Sequence, residues 1–194
     1  MNAQKLAIKL FLRDPSQAHG LKLVPVFQQW IQLHALDDHL LIDVADYDHV
    51  IDGPGTVLVA HEANLALDST GGRPGLLYQR KQPLPGPFAD RLATVFRYTL
   101  EAAARLEQHP GLRFRTDEIT VRIADRLLAP NTPETFEAVR RDLEAFTLKL
   151  FGPKSPLEIT HTPAPNKLFE VTIKSATAAT VGDLLTRLQS LQPA

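Results

Sequence analysis

Residues 40–81 hold an unusual density of groups able to move protons, ligate a metal or hold an anion: Asp43, Asp46, Tyr47, His49, His61, Glu62, Asn64, Tyr78 and Arg80. Imidazoles with carboxylates form a ligand set for a divalent metal. A carboxyl group beside an amide and a guanidinium suits proton transfer or hydrolysis on an anionic substrate. The spacing selects neither chemistry. His61-Glu62 lacks the second histidine, four residues on, that a zinc-protease helix requires, and neighbours on a strand point to opposite faces.

Alternation along this stretch predicts three strands, 40–47, 56–68 and 76–82, joined by the turns Asp52-Gly53-Pro54-Gly55 and Gly71-Gly72-Arg73-Pro74-Gly75. In the first, Leu40, Ile42 and Val44 share one face, and Leu41, Asp43, Ala45 and Tyr47 the other. In the second, Val57, Val59, His61, Ala63, Leu65 and Leu67 form the apolar side, which puts His61 inside with a hydrogen-bond partner. Asp43, Tyr47, Glu62, Asn64, Tyr78 and Arg80 then have the parity to converge on the polar side. The plainer account is a solvated face with cross-strand pairs such as Glu62 with Arg80. Asp46, Asp48 and His49 equally suit a turn at the end of a strand.

A second cluster, Arg126, Asn131 and Thr132, joins a strand to a helix opening at Pro133. Free N–H groups at a helix start and a nearby guanidinium attract a phosphate or carboxylate. Thr132-Pro133-Glu134 is also an ordinary capped helix start, in which Glu134 favours the helix dipole and repels an anion.

The elements that must position these groups follow from periodicity. A strand is expected at 5–12, closed by Asp14-Pro15 and Gly20, and then a helix from Pro25 to Leu36 with Pro25 in its first turn. After the three-strand meander, a proline-rich connection at 82–87 leads to a helix at 88–108. A strand at 118–125, a helix at 133–150, strands at 157–161 and 168–174, and a helix at 181–191 complete the chain. The last helix opens with Thr180 and Asp183 spaced as in a capping box. The order β-α-β-β-β-α then β-α-β-β-α predicts an α+β fold, with helices on one face of a mainly antiparallel sheet. It suits a ferredoxin-like unit with an appendage, or a duplicated two-layer sandwich with lobes 1–110 and 111–194.

The 194 residues, 44% hydrophobic, suffice for one substantial domain. Lys and Arg number 21 against 22 Asp and Glu, a formal charge of -1, so no global field draws the chain to nucleic acid or anionic lipid. Its basic pairs are scattered among acidic neighbours, which argues against a nucleic-acid partner. No cysteine is present, which removes disulfides, thiolate metal sites and thiol nucleophiles and is compatible with a reducing cytoplasm. The first residues read as a strand rather than a signal peptide, and no segment is apolar enough to span a bilayer. Gly53-Pro54-Gly55 has no following helix and is not a phosphate-binding loop; no serine lies in a nucleophile elbow. The expectation is a cytoplasmic binding protein, without catalysis, for a partner protein or an anionic small ligand. A small acid–base or metal-assisted hydrolase or lyase built on the meander is the alternative. A subunit that self-associates through an open edge at 168–174 is the third reading.

Overall fold

Leu6, Ile8, Leu10 and Leu12 alternate along β1 (Leu6–Leu12) and are all buried, so the first strand lies at the centre of the sheet. The structure is a computed structural model that describes residues 2–18, 20–153, 155–177 and 179–191. The other strands are β2 (Leu41–Tyr47), β3 (Gly55–Ala60), β4 (Ala63–Asp68), β5 (Gly75–Arg80), β6 (Phe114–Ile123), β7 (Leu157–His161) and β8 (Phe169–Ser175). They form one sheet in the order β2-β3-β4-β5-β1-β6-β8-β7, with every neighbouring pair antiparallel. Four helices accompany it: α1 (Val24–Leu33), α2 (Phe88–Leu106), α3 (Pro133–Phe151) and α4 (Val181–Leu191). This is the expected α+β class.

All four helices contribute to one core with strand residues of a single parity, among them Ile8, Leu10, Leu58, Leu65, Leu76, Val121 and Ile173. Phe27 and Trp30 of α1, Phe96 of α2, Leu143 of α3 and Leu184 of α4 meet that face. Each such side chain, fully buried, contributes about 1.5 to 3 kcal/mol before entropy is counted. Ala7, Phe11, Val57 and Ala66, of opposite parity, are buried but lie outside that core. One face of the sheet therefore carries the helices and the other is free of them.

The helix ends follow local chemistry. Pro25 and Pro133 sit in the first turns of α1 and α3, and the Thr132 hydroxyl accepts from the Thr135 N–H. Thr180 and Asp183 form a reciprocal capping box: the Asp183 N–H reaches Thr180 Oγ1 at 3.0 Å, and the Thr180 N–H reaches Asp183 Oδ2 at 2.8 Å. Helix α1 stops at Leu33, short of the expected Leu36, because His34 takes a left-handed conformation.

Three expectations are corrected. The stretch 56–68 is two strands, because the chain reverses at His61-Glu62, and the meander has four strands instead of three. His61 is accordingly exposed at a turn and not inside. The reversal also flips parity: Leu58, Ala60, Ala63, Leu65 and Leu67 face the helices, while Val57 and Val59 face away. In β2 an irregularity between Leu41 and Asp43 inserts one residue, so Leu41 and Val44 both pack on the core and Ile42 is 55% exposed. Finally, 168–174 is no edge, since β8 pairs with β6 on one side and β7 on the other; the edges are β2 and β7.

Candidate functional site

The helix-free face holds a groove of about 580 Å³ whose floor is supplied by β1, β6, β8 and β7. Strand register dictates what lines it. Lys9 lies opposite Thr120, Thr120 opposite Thr172, and Thr172 opposite Thr160, so one line across four strands carries an ammonium and three hydroxyls. The adjacent line brings Arg122 opposite Glu170. The walls are the turn at 70–73, the β7–β8 connection, and Arg126 with Asn131 from the segment before α3.

The floor is electrostatically knit. Lys9 Nζ lies 2.5 Å from Asp68 Oδ2, both side chains being 5% exposed, and Asp68 Oδ1 accepts the Thr70 hydroxyl at 2.6 Å. Burial holds the Lys9 pKa below its ordinary value, with Asp68 opposing that shift. Arg122 donates through Nε and Nη2 to one oxygen of Glu170, at 2.9 and 2.6 Å. Arg73 pairs with Glu118 at 2.9 Å while its guanidinium lies 3.8 Å from the centre of the Phe11 ring. Of the five cations that line the groove, Lys9 pairs with Asp68, Arg73 with Glu118, which Arg115 also approaches at 3.5 Å, and Arg122 with Glu170, so two are left without a carboxylate partner. These are Arg126 and Lys167, which have no ion pair among the described residues; Arg126 donates only to the Asn166 carbonyl, at 3.3 Å. Asn131 accepts from His161 Nε2 at 2.6 Å and turns its amide nitrogen to no protein acceptor among the described residues.

A second polar cluster sits on the helix side. His39 Nδ1 lies 2.8 Å from the Asp37 carbonyl, which only accepts, so Nδ1 carries the proton and Nε2 accepts from the Tyr78 hydroxyl at 2.9 Å. The Tyr98 ring packs edge-on against His39 at 4.5 Å, and its hydroxyl donates to Asp38 Oδ2 at 3.0 Å. Burial keeps His39 below the usual histidine range, with the neighbouring Arg80 charge acting in the same direction, and pushes the Tyr78 phenol well upward. A neutral imidazole and a tightly held phenol, enclosed by rings, tie the α1–β2 connection to β5 and α2.

The residues expected in the meander are divided between these two places and the surface. Glu62, Tyr78 and Arg80 lie toward the helix side, but Glu62 and Arg80 make no ion pair: Glu62 accepts the Leu40 N–H at 2.8 Å, and Arg80 Nε donates to the Gln82 carbonyl at 3.0 Å. Asp43 and Asn64 do share the helix-free face, two strands apart with Val59 between them. Tyr47 ends the same strand opposite Gly55 and is 44% exposed. Asp46 accepts the Asp48 N–H at 2.9 Å, the turn chemistry of a carboxylate at a strand end, whereas Asp43, at the irregularity within β2, accepts the Val44 N–H at 2.7 Å. His49 is exposed in the following turn, and His61 in the next. Among the described residues no three His, Asp or Glu side chains are grouped as a metal would need. Of the anion cluster, Arg126 and Asn131 reach the groove, whereas Thr132 caps α3.

Lys9, Thr120, Arg122, Glu170, His39 and Tyr98 were not singled out in the sequence. For the groove floor the sequence sign was polar residues alternating with Ile and Val in β6 and β8, the ordinary pattern of any half-solvated strand, and one lysine in the otherwise apolar β1. No helix among the described residues is long and apolar enough to cross a membrane. Set against known protein families, curated proteins and solved structures, the chain has no significant match in any of the three.

Proposed function

We propose that the chain is a binding protein for an anionic small ligand, held in the groove on the helix-free face. The observation that carries this reading is the pair of cations, Arg126 and Lys167, left without carboxylate partners beside a groove that already draws together Lys9, Arg73 and Arg122. A guanidinium without a carboxylate partner, an ammonium and a free amide donor form a receptor for a phosphate or carboxylate. The volume is in the range of small-molecule sites.

Binding without turnover is favoured by the same residues. Among the described residues the groove lining includes no histidine, Glu170 is engaged by Arg122, and Lys9 is engaged by Asp68, so neither Glu170 nor Lys9 has the freedom of a general acid or base. The test is calorimetric titration with inorganic pyrophosphate at low ionic strength, on the native chain and on Arg126→Gln. Saturable binding that weakens about tenfold in the variant supports the reading. Absence of saturable binding, or equal affinity in both proteins, rejects it.

A further inference from the structure

We infer that the ligand of this groove is a polyhydroxylated anion, a sugar phosphate or an acidic sugar, with its charge at Arg126 and Lys167 and its hydroxyls over the threonine line. The inference rests on the anion-binding reading and adds the chemistry of the uncharged part of the ligand. Its basis is the register Lys9–Thr120–Thr172–Thr160. Directly opposed side chains in an antiparallel sheet stand about 5 Å apart, comparable with the separation of alternate hydroxyls on a sugar ring.

The hydroxyls of this line are available to a ligand in the groove. Thr120 is 95% buried, at 5% relative exposure, yet its side chain lines the groove, and its hydroxyl bonds no group among the described residues. The Thr172 hydroxyl is likewise without a protein partner there, and Thr160 makes only a 3.5 Å contact to the Thr172 carbonyl. Neither the Thr120 nor the Thr172 hydroxyl is sealed from the groove, so both are open to a ligand that enters it. Each threonine can both donate and accept, as each hydroxyl of a sugar can, whereas a bare phosphate is chiefly an acceptor and would leave most of their acceptor lone pairs idle. Lys9 begins the line and has one donor beyond those directed at Asp68 and, at 3.5 Å, at the Thr70 carbonyl. Phe11, the aromatic residue of the lining, is covered by Arg73, so no flat ring is offered to a base or an aromatic acid.

The test compares glucose phosphorylated on its primary hydroxyl and galacturonate with inorganic phosphate, acetate and neutral glucose, titrated into the full chain by calorimetry. The expected result is that at least one sugar anion binds about tenfold or more tightly than its simple anion, and more tightly than glucose. Which sugar anion wins identifies phosphate or carboxylate as the charged group. The double variant Thr120→Val with Thr172→Val should bring the sugar anion down to the affinity of the simple anion and leave the simple anion unchanged, and Thr→Ser at both positions should restore it. If phosphate binds as well as the sugar phosphate, and acetate as well as galacturonate, the inference fails while anion binding stands. If no anion binds, both fail. The comparison of ligands on the native chain decides the matter even where the valine variant does not fold.

Discussion

Asp68→Asn isolates the electrostatics of the groove floor, since it keeps the shape of the side chain and one acceptor but removes the charge that compensates Lys9. Both partners are buried and 2.5 Å apart, and Asp68 also holds the Thr70 hydroxyl. After the substitution, Lys9 either stays charged without a counterion or gives up its proton. The second route sets a ceiling. Holding a lysine neutral at pH 7, when its ordinary pKa is 10.5, costs about 1.36 kcal/mol for each of 3.5 pH units, or about 4.8 kcal/mol. That agrees with the roughly 3 to 5 kcal/mol lost when a buried pair is broken from one side. Urea unfolding at about pH 7 should therefore show a loss of about 3 to 5 kcal/mol. Burial lowers the folded pKa, so the unfolded chain holds a proton that the folded chain lacks, and the deficit should shrink as pH rises from about 7 to about 10. Lys9→Met combined with Asp68→Leu, which leaves no buried charge, should cost less than Asp68→Asn alone. A loss under about 1 kcal/mol, unchanged between those pH values, would mean that the pair is screened like a surface bridge and would refute the reasoning.

Two further predictions address the helix side and the missed turn. Burial holds the folded pKa of His39 below 6.5, so as pH falls below that value the unfolded chain takes up the proton first; stability should drop until the folded pKa is passed, and His39→Gln should remove that part of the pH dependence in urea titrations. His61→Ala should change stability by no more than about 0.5 kcal/mol, because the side chain is exposed. Glu62→Ala, which loses the acceptor for the Leu40 N–H, should cost about 1 kcal/mol; a larger effect at His61 than at Glu62 would contradict this placement.

How much could be read in advance depended on the range of each interaction. The starts of α1 and α3 at Pro25 and Pro133, and the box of Thr180 with Asp183, were visible because each is complete within four residues. The turn at His61-Glu62 was not, since neither residue is a glycine or proline and neither has a positive φ. It is secured from outside: the His61 N–H donates to the Leu40 carbonyl at 2.9 Å, and the Lys81 N–H donates to the Glu62 carbonyl at 2.8 Å. Missing it reversed the parity assigned to β3 and placed His61 inside.

The candidate site divides in the same way. Arg126 and Asn131 were legible, because they stand in the loop leading into a helix, where anion donors are sought. Lys9 and Asp68 are 59 residues apart, and Arg122 and Glu170 are 48 apart. Asp68, Arg122 and Glu170 each looked like one more polar residue of a half-solvated strand, and Lys9 like a lone charge in an apolar run. By itself the sequence determined the helix and strand periods, the helix starts and the α+β class, all of which follow from steric and hydrogen-bonding preferences of neighbouring residues. Only the tertiary structure decided that β1 lies between β5 and β6, that Lys9, Thr120, Thr172 and Thr160 fall on one line, and that two cations are left without a carboxylate partner there. Strand order and register are set by burial of one common core face, a property of the whole sheet that no single segment contains.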